Sequence, residues 1–147
     1  MNNLQILDSH KNYQYVYLDM CEELSNEYDR MYGIINTNGH VLAMGGWRLP
    51  LDGGILLKND SEVIAGAFFN LSKSSVTIFI HIIFVEDQHR QQGIYTKMHS
   101  LIDMLGKELG RSLIYSYIHS ENQIMQEHVM KKIGYKPVMQ LVKRNIR

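Results

Sequence analysis

Between Val76 and Val85 the chain reads VTIFIHIIFV, with His81 its only titratable side chain. A short run that is apolar on both faces belongs in the middle of a sheet covered on both sides. Layers above and below the sheet are therefore demanded by this stretch alone. The run ends abruptly in the polar turn EDQHRQQG, after which Ile94, Met98, Leu101, Ile102, Leu105 and Leu109 form one helical stripe. Gly110 follows where a helix C-cap is expected. The sequence thus predicts a central strand, a polar loop and an amphipathic helix in that order.

The rest of the chain fits around that unit. LQILD, from Leu4 to Asp8, reads as a short first strand, and Tyr13, Val16, Tyr17, Met20 and Leu24 recur at helical spacing over Lys11 to Glu27. Met31 to Leu49 reads as a hairpin about Asn38-Gly39, with Trp47 packed in it or lining an acceptor pocket. A meander follows: GGILLK, a turn at Asn59-Asp60, EVIAGAFFNL, a turn at SKSS, then the apolar run. Downstream, SLIYSYIH is a further strand. Ser120-x-x-Gln123 opens a helix that stops at Gly134, and PVMQLVK is a last strand. Meander first and strand-helix alternation afterwards give an α/β (α+β) layer fold with a mixed, mostly antiparallel sheet, one domain over residues 1–147.

Composition narrows the class. Fifteen basic residues balance fifteen acidic ones, so no global field favours nucleic acid or an anionic membrane. Cys21 is the only cysteine, which excludes an internal disulfide and a cysteine-rich zinc site. The apolar runs are too short for a membrane span, and the N-terminus lacks the build of a secretory signal. A cytoplasmic setting is expected.

The loop itself has two readings. It is an ordinary strand-to-helix turn, or a cradle for an anion: a helix start presents unpaired N–H groups and the positive end of the helix dipole. Gly93 permits close backbone approach, and Arg90 carries a charge suited to phosphate.

IIFVEDQHRQQGIYTKM resembles the acetyl-coenzyme-A motif of the GCN5-related N-acetyltransferases, in which a hydrophobic strand leads into a Gln/Arg-x-x-Gly-x-Gly/Ala loop and a helix. Here that loop is Arg90, Gln91, Gln92, Gly93, Ile94 and Tyr95. IHSENQIMQEHVMKKIGYKPV is similar to the family's asparagine-led helix ending in Gly-aromatic, with Asn122 and Gly134-Tyr135 in those places. The resemblance spans about Gly54 to Val142, and the N-terminal third matches loosely.

The resemblance implies a GNAT-like sheet, acetyl-CoA as cofactor and direct acetyl transfer to an amine of a small molecule or peptide, with a homodimer left open. Backbone groups of Ile83, Phe84 and Val85 would hold the pantetheine arm, and the amides from Arg90 through Tyr95 the pyrophosphate. Asn122 would approach from the next helix. Two positions depart from the pattern. Tyr95 stands where the family prefers Gly or Ala, and Met130 stands where relatives place a tyrosine that protonates the departing thiolate. A thioether cannot donate a proton. Met130 keeps a rival reading open: a non-catalytic acyl-CoA-binding or sensing module of the same fold.

Acetylation needs a neutral amine, so a base near the acetyl carbon is useful. His81 is the sharpest candidate, expected on the same face as Ile83 and Val85; its bland reading is a hydrogen-bonded core histidine. Tyr117 and His119, at the end of the next strand, are further candidates, with core packing and helix entry as their ordinary roles. Glu86 and Asp87 read as solvated loop carboxylates, and Lys131 and Lys132 as a solvated pair. Cys21 lies away from both motifs, which argues against a covalent cysteine intermediate.

Overall fold

A computed structural model of the chain describes residues 4–37, 50–71, 76–116, 129–137, 144 and 146. The elements are β1 (Leu4–His10), β2 (Tyr13–Asp19), α1 (Glu22–Thr37), β3 (Gly53–Asn59), β4 (Glu62–Leu71), β5 (Thr77–Val85), α2 (Ile94–Glu108) and β6 (Leu113–Ser116). Among the described residues the strands form one sheet in chain order, β1 to β6. The first five are antiparallel in succession, and β6 lies parallel to β5. α2 makes the crossover between those two strands, since parallel neighbours cannot be joined by a tight turn.

The expected two-sided burial of the apolar run is what the fold shows. One core gathers Tyr17, Ile55, Leu57, Phe69, Ile78 and Ile80 beneath Met98, Leu101, Ile102 and Leu105 of α2. The other packs Val16, Leu18, Leu56, Phe68, Ile82 and Phe84 under Leu24, Tyr28 and Met31 of α1. The α2 stripe runs as the sequence predicts from Ile94 to Leu105, whereas Leu109, expected on the same stripe, is exposed past the helix end, and Gly110 follows at φ 71°.

The N-terminal third differs from expectation. The helix predicted from Lys11 to Glu27 is a strand, β2, followed by a helix that starts only at Glu22. Tyr13, Tyr15 and Tyr17 face the α2 core while Val16 and Leu18 face the α1 core, a period of two that the spacing of Tyr13, Val16 and Tyr17 disguised. Aromatic and β-branched residues prefer that setting, and pairing with β1 and β3 secures it. Met31 to Thr37 is helical rather than the start of a hairpin. Leu24, Tyr28 and Met31 lie at i, i+4 and i+7, so the periodic stripe belongs to this later helix.

Gly66 lets α1 sit close. A Cβ there would meet the Phe68 ring at 2.8 Å and the Met31 sulfur at 3.0 Å. The Asn38-Gly39 turn, Trp47, the SKSS turn, the helix start at Ser120 and Val138 to Lys143 lie outside the described residues. Val129–Ile133 is a π-helical turn that closes at Gly134, φ 92°, with Lys131 and Lys132 exposed.

Candidate active site

β5 carries a bulge. Phe68 of β4 pairs with Ile82 and Phe69 with Ile80, which leaves His81 as the extra residue. Such an insertion resets the alternation of the strand. Ile78 and Ile80 belong to the α2 core before it; Ile82 and Phe84 belong to the α1 core after it. His81 therefore does not share a face with Ile83 and Val85, as the unbroken alternation had predicted. Its ring stands edge-on to Tyr28 of α1 at 5.7 Å between centroids, and its Nδ1 lies 3.1 Å from the Tyr28 hydroxyl. Tyr28 is itself held by Phe68, 5.2 Å away and edge-on, and by Tyr32 at 5.8 Å.

The bulge also decides which backbone groups face outward. The Glu86 N–H donates to Ile64 O of β4 at 3.0 Å. Alternate residues point their N–H and C=O to opposite sides, so Phe84 is directed at β4, and Ile83 and Val85 at the other edge. On that edge the described pairing with β6 ends at Ile80 and Ser116. Of the three residues singled out in the sequence, Ile83 and Val85 carry the outward backbone groups. Phe84 contributes its ring to the α1 core.

Beyond Val85 the chain makes a short 3-10 turn over Asp87–His89 and then the loop proper. Gln91 adopts φ 63° and Gly93 φ 80°, and α2 begins directly after. Its first backbone bond is Lys97 N–H to Gly93 O, 2.9 Å, so the amides of Ile94, Tyr95 and Thr96 precede the helical ladder. Gly93 supplies no side-chain cap, and the first turn contains no acidic residue. A Cβ on Gly93 would meet nothing within 4 Å, so the glycine is favoured by the backbone angle alone and its outer side is open.

Arg90 holds this loop to the strand. Its Nε donates to Val85 O at 3.0 Å, and its Nη1 pairs with Asp87 at 2.9 Å. Asp87 is exposed, as expected, but Glu86 is not a solvated carboxylate: it accepts from Arg30 of α1 at 3.0 Å. Arg30 also reaches Glu27 and Val63 O, tying α1 to the mouth of the loop.

Tyr95, the departure from Gly or Ala, takes up space rather than leaving it. Its ring lies 4.8 Å from that of buried His99, which stands edge-on to Tyr135 at 5.4 Å. The Tyr135 hydroxyl lies 3.4 Å from His99 Nδ1. Burial pushes the Tyr95 phenol up to about 12. Tyr135 is raised as well, by burial first and then by the neighbouring Tyr95 and Asp103. Gly134-Tyr135 thus packs back on the first turns of α2.

Tyr117, His119 and Asn122 lie outside the described residues. The sequence reading missed Tyr28 and Arg30. The only signal for Tyr28 was its place in the Leu24, Tyr28, Met31 stripe.

No protein-family model and no curated protein sequence matches the chain. Solved structures match its fold. The aminoglycoside N-acetyltransferase AAC(6')-Iy in complex with CoA superposes with a TM-score of 0.62 at 17% identity, over 95% of this chain and 99% of that one. HMB0005, an aminoglycoside acetyltransferase from an uncultured soil metagenomic sample, gives 0.65 at 13% identity, over 93% and 100%. A second metagenomic enzyme, meta-AAC0020 in complex with sisomicin, gives 0.62 at 10%, over 92% and 97%. At such identities the likeness establishes the fold alone, one that the chain shares with these acetyltransferases.

Proposed function

We propose that the chain is an acetyl-CoA-dependent N-acetyltransferase acting on a small-molecule amine in the cytoplasm. The observation that carries this reading is the loop between β5 and α2. It offers a glycine at φ 80° with open space outside it, a first helical turn without acidic residues, and an arginine at its start. Those features suit a pyrophosphate. The same fold binds CoA in AAC(6')-Iy, and the sisomicin complex of meta-AAC0020 supports an amine acceptor of small size. No described helix is long and apolar enough to cross a membrane.

In this reading the amides of Arg90 through Tyr95 hold the diphosphate, and the outward backbone groups of Ile83 and Val85 run beside the pantetheine arm. When bound, the cofactor supplies an acetyl thioester, activated toward an amine. His81, at the bulge, would accept the proton that the acceptor amine gives up. Met130, a residue without a proton to give, favours one rival: a module that binds acyl-CoA without turnover.

Two measurements test the reading. Coenzyme A should raise the melting temperature of the chain, because a ligand that binds only the folded state stabilises it by mass action. Gly93→Asp should remove most of that shift while the unliganded protein stays folded, since aspartate tolerates a left-handed backbone and its carboxylate repels a diphosphate. A folded Gly93→Asp protein with unchanged affinity would place the cofactor elsewhere. Free-thiol release across an amine panel separates the enzyme from the non-catalytic module.

A further inference from the structure

We propose that the Arg90 side chain makes this site selective for a thioester carrier that bears a diphosphate, by standing on the Val85 carbonyl until an anion draws it away. The inference deepens the acetyl-CoA reading and rests on it. It starts from two roles that meet at one atom. The outward carbonyl of Val85 would lie beside the pantetheine arm. That same oxygen accepts from Arg90 Nε at 3.0 Å, while Arg90 Nη1 pairs with Asp87 at 2.9 Å. The guanidinium is thus turned back onto the strand.

Position, rather than acceptor capacity, sets the conflict. A carbonyl oxygen has two lone pairs and accepts a second donor readily. Val85 O, however, points to the edge away from β4, since the next N–H, that of Glu86, is the one that donates to Ile64 O. A donor 3.0 Å from Val85 O stands on that edge, where an arm running beside Ile83 and Val85 must pass. A carrier therefore has to move the guanidinium. What is lost is one hydrogen bond to the carbonyl and an ion pair with a carboxylate that is 89% exposed, so the latch is weak enough to open.

The carrier decides whether that loss is made good. Gln91 to Thr96 contains no charged side chain, so the cation adjoining the helix start along the chain is Arg90. Lys97, the next one, pairs with Asp8 at 2.6 Å. A diphosphate on the loop amides gives the displaced guanidinium a bidentate acceptor in exchange for Asp87. A neutral pantetheine gives it none. The swing does not unmake the turn. His89 N–H donates to Glu86 O at 2.9 Å, Arg90 N–H donates to Asp87 O at 3.3 Å, and Glu86 accepts from Arg30, all without an Arg90 side-chain atom.

Dissociation constants of coenzyme A and of pantetheine, from chemical-shift titration of the full chain, separate this role from a plain phosphate contact and from a strut. Arg90→Met keeps an unbranched stem and removes every side-chain donor. Coenzyme A is expected to bind it about tenfold more weakly, and pantetheine about threefold more tightly. The opposite signs are the signature. Unchanged pantetheine binding makes Arg90 a phosphate ligand only, and weakened binding makes it a strut of the loop; either result overturns the proposal. Asp87→Asn, at an exposed position, carries the test if Arg90→Met does not fold. It loosens the outer side of the guanidinium, so pantetheine, which is neutral and feels no repulsion from the carboxylate, should bind about twofold more tightly. No gain, or the same gain in an Arg90→Met background, overturns the proposal as well. Melting curves without ligand show which variants are folded. Failure of the acetyl-CoA reading shows separately, as a wild type that coenzyme A does not stabilise.

Discussion

His81 is a polar residue in a strand of isoleucine and phenylalanine, and the bulge is what makes room for it. In a regular strand its ring would displace a core side chain or point with Ile83 and Val85 toward α2. Turned toward α1, it finds a hydroxyl. Tyr95 solves a different problem, filling the start of α2 with a ring tilted against that of His99. That choice has a consequence at high pH. The Tyr95 phenol, pushed up to about 12 by burial from an ordinary 10, resists ionising while the chain is folded. Its contribution to stability is therefore complete below the unfolded value and is lost as pH rises through the folded one. Urea midpoints of the wild type should fall between about pH 10 and 12, and Tyr95→Phe should flatten part of that decline. An identical decline in the variant would mean that Tyr95 ionises outside the core.

At the scale of elements, legibility followed sequence distance. The meander β3-β4-β5, the loop and α2 could be read because each is defined by neighbours in the chain: turn residues, a glycine, one stripe of apolar side chains. β2 could not. Tyr13, Val16 and Tyr17 satisfy a helical period and a strand period alike, and the choice is made by β1 and β3, the latter contributed from beyond Gly53. The bulge was equally hidden, because nothing in TIFIHIIFV marks the residue at which β4 loses register. The glycine loop before α2 was thus legible, whereas the Tyr28 partner of His81 depended on a helix that had been expected to end at Glu27. That helix is anchored by a few side chains, which makes it testable. Leu24 is fully buried under β3 and β4, so Leu24→Ala should cost about 3 kcal/mol. Denaturant unfolding at constant m-value would measure it. A cost below about 1 kcal/mol would show that α1 is not a structural layer of the sheet.

At the scale of the whole molecule, both cores share one sheet. β2, β3, β4 and β5 each give alternate residues to the α1 side and the α2 side. Neither helix can leave without exposing the back of the strands that the other one covers. Two further ties join the layers across the sheet: Arg30 of α1 to Glu86 at the end of β5, and Lys97 of α2 to Asp8 of β1. A chain built this way should unfold as one unit, without a separate N-terminal transition. Far-ultraviolet and tyrosine near-ultraviolet signals should then give one midpoint. Coenzyme A at about a hundred times its Kd should move both signals together, by about 2.7 kcal/mol, or roughly 6–10 °C. The loop that would hold the ligand continues β5 directly into α2, while Arg30 links its mouth to α1, so its stabilisation is transmitted to both layers. Midpoints that separate on adding the ligand would mean that the loop before α2 and the α1 layer unfold independently, and that the sheet does not couple them.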